Sequence, residues 1–197
     1  MKFIGTLLFS LLISICVAQK DSVKCPPEGK GASDLAKRMN VLKNRDVVNG
    51  TINPAITPAT ILAGGPEDTA AFKTTDYATI TGYVLEAEDA GPESCNCFSN
   101  DTAKQNIHIY LGQSVDSWKD SIFVIQITPK FKKQHPEINA DGLIGQRITV
   151  TGMMMYNFES KKFALKACKT CRTTDRKTAW EICPVTDLKV FPKPAKK

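Results

Sequence analysis

Five stretches in the second half of this chain carry β-branched, aromatic and other apolar residues at every second position or in short unbroken runs. They are "ATITGYVLEAE" (78–88), "QNIHIYLG" (105–112), "SIFVIQIT" (121–128), "RITVTGMMMYNF" (147–158) and "AWEICPVTDLKVF" (179–191), each bounded by turn residues. A period of two over that length predicts strands. Between the third and fourth lies "PKFKKQHPEINADGLIGQ", with room for a short helix or an ordered crossing loop. Five strands interrupted at that point follow the order of an OB-like five-stranded barrel, so the predicted fold class is mainly β. A further run, "KKFALKA" after the turn "NFESKK", is expected to form a hairpin with the fourth strand. Gly82 and Gly152 fall inside strands, where glycine marks the bends or bulges that a small closed barrel needs.

The residues before the strands read differently. "SDLAKRMNVLKNR" spaces Leu35, Met39 and Leu42 along one helical face with Ser33 as its cap, which predicts one amphipathic helix packed across the domain. Pro54, Pro58, Gly64, Gly65 and Pro66 then break any long element, leaving an extended wrapping arm with a turn of helix after Thr57. The predicted organisation is 1–18 signal peptide, 19–77 leader, helix and arm, 78–192 barrel, and 193–197 a basic tail.

The opening "MKFIGTLLFSLLISICVAQK" has one lysine, an apolar run and a small residue at Ala18, the layout of a secretory signal cleaved after that alanine. A lipid anchor at Cys16 is the rival, disfavoured because Ile15 stands where lipoprotein processing wants a small residue. Elsewhere no run approaches the ~20 apolar residues of a spanning helix. The expectation is an exported, monomeric protein, periplasmic or extracellular. Cleavage leaves 25 basic and 20 acidic residues, a charge of +5 that keeps a protein soluble without implying nucleic acid. It also leaves Cys25, Cys95, Cys97, Cys168, Cys171 and Cys183, an even set expected as disulfides in an oxidising compartment, with 15 pairings open.

Four pieces of the chain, "NVLKNR", "ESCNC", "NIHIYL" and "TAWEICPVTDLKV", resemble a family of exported bacterial proteins of unassigned function in which LNxLKNR, a CNC loop, an HI strand and a closing AWEIHPVT strand recur. The resemblance covers most of the mature chain and implies an OB-like domain with no known reaction. It departs at Cys183, where the family pattern often has histidine, so a site pairing that histidine with the one matching His108 is not expected here.

Several constellations compete for a functional role. Cys95, Cys97, Cys168 and Cys171 could supply four sulfurs to a tetrahedral zinc, with Cys183 or His108 as substitutes, but the single residue between the first pair and the oxidising compartment favour a stapled loop. "CKTC" follows a predicted hairpin rather than opening a helix, so it lacks the feature that makes such a motif redox-active. His108 alternates with two isoleucines and shares the outward face with Tyr110, where a polar structural residue is the simpler reading, and His135 is expected in solvent. A metal-dependent nuclease or other hydrolase would need Glu86, Glu88, Asp89 and Glu93 to converge and arginines to meet the phosphoryl group, with Arg147 the main one present. Met153, Met154 and Met155 are expected in core packing, and Trp180 as a plug at the barrel end with its N–H bonded to a carbonyl.

Binding is the favoured reading. OB folds take ligands across the second and third strands and the flanking loops. The candidate ligand-binding residues are therefore His108, Tyr110, Tyr83, Lys166, Lys169, Arg172 and Trp180. Lys166, Lys169 and Arg172 belong to a basic run at 161–177 that could take single-stranded nucleic acid or another polyanion, while Tyr83, Tyr110, Phe123 and Tyr156 could stack on bases. The loop facing it is acidic, which opposes a phosphate track. The overall expectation is a non-catalytic binding module with no cofactor, zinc being the alternative, and an envelope protein, a glycan or a polyanion as partner.

Overall fold

The computed structural model describes residues 24–46, 50–64, 67–117, 122–164 and 176–191. The expected signal peptide, the tail 193–197, and Lys166, Cys168, Lys169, Cys171 and Arg172 lie outside the described residues. The five alternating stretches form β1 (Tyr77–Asp89), β2 (Ile107–Gly112), β3 (Ile122–Ile127), β4 (Arg147–Tyr156) and β5 (Trp180–Phe191). They close into a ring in the order β1-β2-β3-β5-β4, with β4 returning to β1. All pairs are antiparallel except β3 with β5. That ring, with its interruption between β3 and β4, is OB-like, as the strand order predicts.

Closure depends on the two in-strand glycines. A Cβ on Gly82 would stand 2.6 Å from the carbonyl oxygen of Gly112, and one on Gly152 2.5 Å from Ile182 Cγ2. The β4–β5 register shifts on both sides of Gly152, and the β1–β2 register shifts between Val84 and Glu86. Bulges at these points bend the long strands around a narrow barrel.

The inward side chains of β2, β3 and β5 form one apolar core: Ile107, Ile109, Leu111, Phe123, Ile125, Ile127 and Ile182 are each 1% exposed or less. Helices close over it. Thr57 caps α2 (Pro58–Ala63), whose Ile61 and Leu62 join the core together with Ile56 of the arm. The crossing segment forms α3 (Pro129–Gln134) and α4 (Ala140–Leu143), contributing Phe131 and Leu143. Trp180 lies inside as well, edge-to-face with Phe72 and Tyr156, and its indole N–H donates to the Asp68 carbonyl at 2.7 Å. The plug expectation is met, so Trp180 offers no surface to a ligand. Phe123 and Tyr156 are likewise core residues, as are Met154 and Met155.

One expectation fails. Residues 158–164 form a short 3-10 turn (Phe158–Ser160) and α5 (Lys161–Ala164), with no hairpin strand. The Asn157 side chain accepts from the backbone N–H groups of Glu159 and Ser160 at 3.1 and 3.3 Å, which turns the chain off the end of β4. Both edges of β4 are already taken, by β1 and by β5, so a sixth strand has nowhere to pair.

Candidate ligand-binding cleft and the polar layer beside it

Helix α1 (Asp34–Asn44) forms where the 3.6-residue spacing predicts it, with the Ser33 hydroxyl accepting from the Ala36 N–H at 3.1 Å. It lies against the outer wall of the barrel, where Met39 packs on Met155 and Cys183 with Leu42 beside them. Its last turn carries Lys43, 3% exposed, whose ammonium bonds Glu93 at 2.9 Å and stands 3.8 Å from Glu159. Glu93 belongs to the loop after β1 and Glu159 to the loop after β4. One buried lysine thus ties together the two loops that flank the ligand face in OB folds.

Beneath it the outward residues of β2, β3 and β5 form a continuous polar layer. Asn106 donates to Glu93 at 2.7 Å and to Gln126 at 3.4 Å; Gln126 donates to Glu181 at 2.6 Å; Asn157 donates to Glu181 at 3.0 Å; and Arg176 pairs with Glu181. Burial pushes the Glu93 carboxyl up, but Lys43, His108 and the bonds from Lys43 and Asn106 more than offset it and hold it below its ordinary value. For Lys43 burial is the largest single influence and acts downward, but the charges of Glu93, Cys95 and Glu181 and the bond to Glu93 together outweigh it, leaving the ammonium held more firmly than usual.

This layer changes the standing of several predicted site residues. His108 and Tyr110 do face outward, but the side chain of His108 is 20% exposed, its Nε2 is buried without a hydrogen-bond partner, and Glu93 lies 3.8 Å away, beyond bonding range. Burial lowers its pKa against the pull of Glu93. Tyr110, 6% exposed, donates to Glu88 at 2.9 Å and packs with Ile122 and Val124. Tyr83 is half-buried opposite Gly112, five positions along β1 from the Glu88–His108 pair, so it does not join them. The candidate acids are separately engaged: Glu88 by Tyr110, Asp89 by Lys132 at 3.5 Å, Glu93 by Lys43. Among the described residues no three His, Cys, Asp or Glu side chains converge as a metal ion would require. His135 keeps 39% of its side chain exposed, as expected, while its ring stacks on Phe131 with centroids 4.3 Å apart.

The cysteines also sort differently from the stapled-loop expectation for Cys95. Cys97 is disulfide-bonded to Cys25, across 72 positions of chain, while Cys95 and Cys183 are free, buried thiols. A 3-10 turn at Ser94–Asn96 followed by a left-handed Cys97 (φ 54°) sends the two neighbouring sulfurs opposite ways. Cys95 turns inward, 3.6 Å from the Asn106 amide, and burial, with the charge of Glu93, pushes its thiol up to about 12. Burial raises Cys183 as well. With Cys97 bonded to Cys25, Cys95 and Cys97 are not paired as ligands in this structure, and Cys168 and Cys171 lie outside the described residues.

A cleft of about 920 Å³ opens beside this layer, between the Cys25 segment, the end of α1, α3 and the middle of β5. Sequence reasoning missed it because its walls come from positions more than a hundred residues apart. Apolar residues Pro26, Pro27, Pro129, Phe131, Pro184 and Val185 line it. Its charged residues are Lys24, Lys43, Arg45, Lys104 and Lys130 against Asp46. Arg45 donates to the carbonyls of Met154 at 3.0 Å and Cys183 at 2.7 Å and to that of Thr74, which anchors the end of α1 to β4 and β5. Burial lowers its pKa.

No family model and no curated protein matches the chain. Among solved structures it is similar to an Entamoeba histolytica asparaginyl-tRNA synthetase, at 16% identity and a TM-score of 0.35, over 66% of this chain and 23% of that one. The likeness therefore spans under a quarter of that enzyme, and it carries no functional argument.

Proposed function

We propose that the protein is an exported, non-catalytic binding domain whose ligand occupies the cleft between the Cys25–Cys97 segment and α3. The observation that carries this reading is the cleft itself, within the range of roughly 300 to 1,000 Å³ typical of small-molecule sites and with both apolar walls and charged groups. Supporting it, the outer wall of β2 and β3, where OB folds take their ligands, is filled here by the chain's own loops and helix. The Cys25–Cys97 bond and the signal-like N-terminus support an oxidising compartment.

The test is a fragment screen on isotope-labelled protein read by amide chemical shifts, repeated on Gln134→Trp, which places a bulky ring at the exposed edge of the cleft. Fragments should perturb cleft residues in the native protein and lose that effect in the variant. Hits confined to the basic 161–177 segment, conversion of a bound fragment, or an absence of hits at the cleft would each sink the reading.

A further inference from the structure

We infer that the ligand of this cleft is an organic anion with an apolar body: a carboxylate or similar oxyanion head received by Asn96 and Arg45, and a hydrocarbon part laid against Pro26, Pro27 and Pro129. The inference rests on the binding role proposed above and names the ligand class.

Three observations converge on it. First, two residues that line the cleft carry buried donors unmatched among the described residues, Asn96 Nδ2 and Arg45 Nε, with Asn96 only 7% exposed. A buried N–H without an acceptor is costly and is satisfied by whatever acceptor enters. Both orphans are donors, so the matching group is an acceptor. Second, among the described residues every hydrogen-bond partner of the Arg45 guanidinium is a backbone carbonyl, so no described carboxylate is bonded to this cation. Three of the other four cations lining the cleft are already served: Lys43 bonds Glu93, Lys130 pairs with Asp46, and Lys104 stands 3.5 Å from Asp101. An anionic head at Arg45 would supply the missing charge. Third, part of the remaining wall is apolar surface that a ligand can reach, with Pro26 and Pro27 exposed and Pro129 half-buried, which suits hydrocarbon better than a hydrated ion.

The same facts weigh against a polyanion. Lys104 and Lys130 already have acidic partners, so a chain of phosphates would meet isolated cations rather than a track. Among the described residues Phe131 is the only aromatic ring lining the cleft, and it already stacks on His135.

The experiment titrates four probes into the full mature protein at neutral pH, following the Asn96 side-chain amide and the Arg45 Nε resonance: octanoate, octanol, acetate and tripolyphosphate. Octanoate should bind at least about tenfold tighter than octanol or acetate, and Asn96→Ala should weaken it by about tenfold, the size expected for one lost hydrogen bond to a charged group. Arg45→Lys keeps the charge but loses the Nε donor and serves as the second variant should Asn96→Ala misfold. Octanol equal to octanoate, or tripolyphosphate binding in its place, would overturn the anion-plus-hydrocarbon class while leaving the cleft a binding site. Silence from all four together with an empty fragment screen would bring down the binding role itself.

Discussion

The two faces of the β2–β3–β5 wall are both buried, yet they are made of different chemistry. Inside, the isoleucines, Leu111 and Phe123 need no partners beyond each other. Outside, Gln126, Glu181 and Cys183 are buried and His108 is partly so, with hydrogen bonds or close polar contacts to one another and to neighbouring loop residues. Apolar burial is non-directional and holds whatever shape closes the barrel. Buried polar groups are satisfied in one arrangement only, so the outer layer decides which segments lie on the wall and in what register. The barrel supplies stability, and the polar layer supplies position, including that of the cleft.

The most damaging way to probe this contrast is from within. Phe123→Ala removes a ring that is 1% exposed and should cost about 4 kcal/mol through lost burial and the cavity left behind, read as a shift in the urea midpoint. A loss below about 1 kcal/mol would mean that the site collapses freely and that the inner core is not what holds the ring closed.

On the outer face the effect should be slightly smaller and should depend on pairing. Lys43→Met leaves Glu93 buried without its cation and should cost about 3 kcal/mol, whereas Lys43→Met combined with Glu93→Gln should recover most of it. Additive losses in that double-mutant cycle would show that the two residues are not coupled and would remove the polar layer's claim to position α1.

How much of this was legible in the sequence follows the same division. Period-two alternation identifies strands and their two faces, and the Ser33 cap and Gly152 bulge leave local marks, so the ring and α1 could be read directly. Alternation says which way His108 points but not what covers it. The charges that act on it, Glu93, Glu181, Lys43 and Arg176, come from three separate regions of the chain. Cysteine parity likewise predicted staples without revealing that a left-handed Cys97 would take Cys25 and leave Cys95 buried. The "KKFALKA" run has strand composition, but pairing requires a free edge, and whether β4 has one is a property of the closed ring. The cleft, assembled from α1, α3 and β5, has no local signature at all.

The smallest expected effect tests whether His108 is truly covered, and it works through protons rather than contacts. Burial keeps its imidazole neutral in the folded protein, with a pKa below the ordinary 6.5 that the unfolded chain shows. As pH falls through that value the unfolded state takes up a proton that the folded state refuses, so stability declines, by at most one proton's worth or about 1.4 kcal/mol per pH unit. Glu93 adds a second decline in the same direction, starting lower: its folded pKa lies below the ordinary 4.5, so its contribution is complete above that pH and is lost as pH drops further. Replacing His108 by glutamine should therefore flatten the upper limb of the stability profile and leave the lower one in place. Identical profiles for the two proteins would mean that the imidazole protonates as readily in the folded state as in the unfolded one. The outer wall would then be open to water at His108, and the β2–β3 face would return as a surface for ligands.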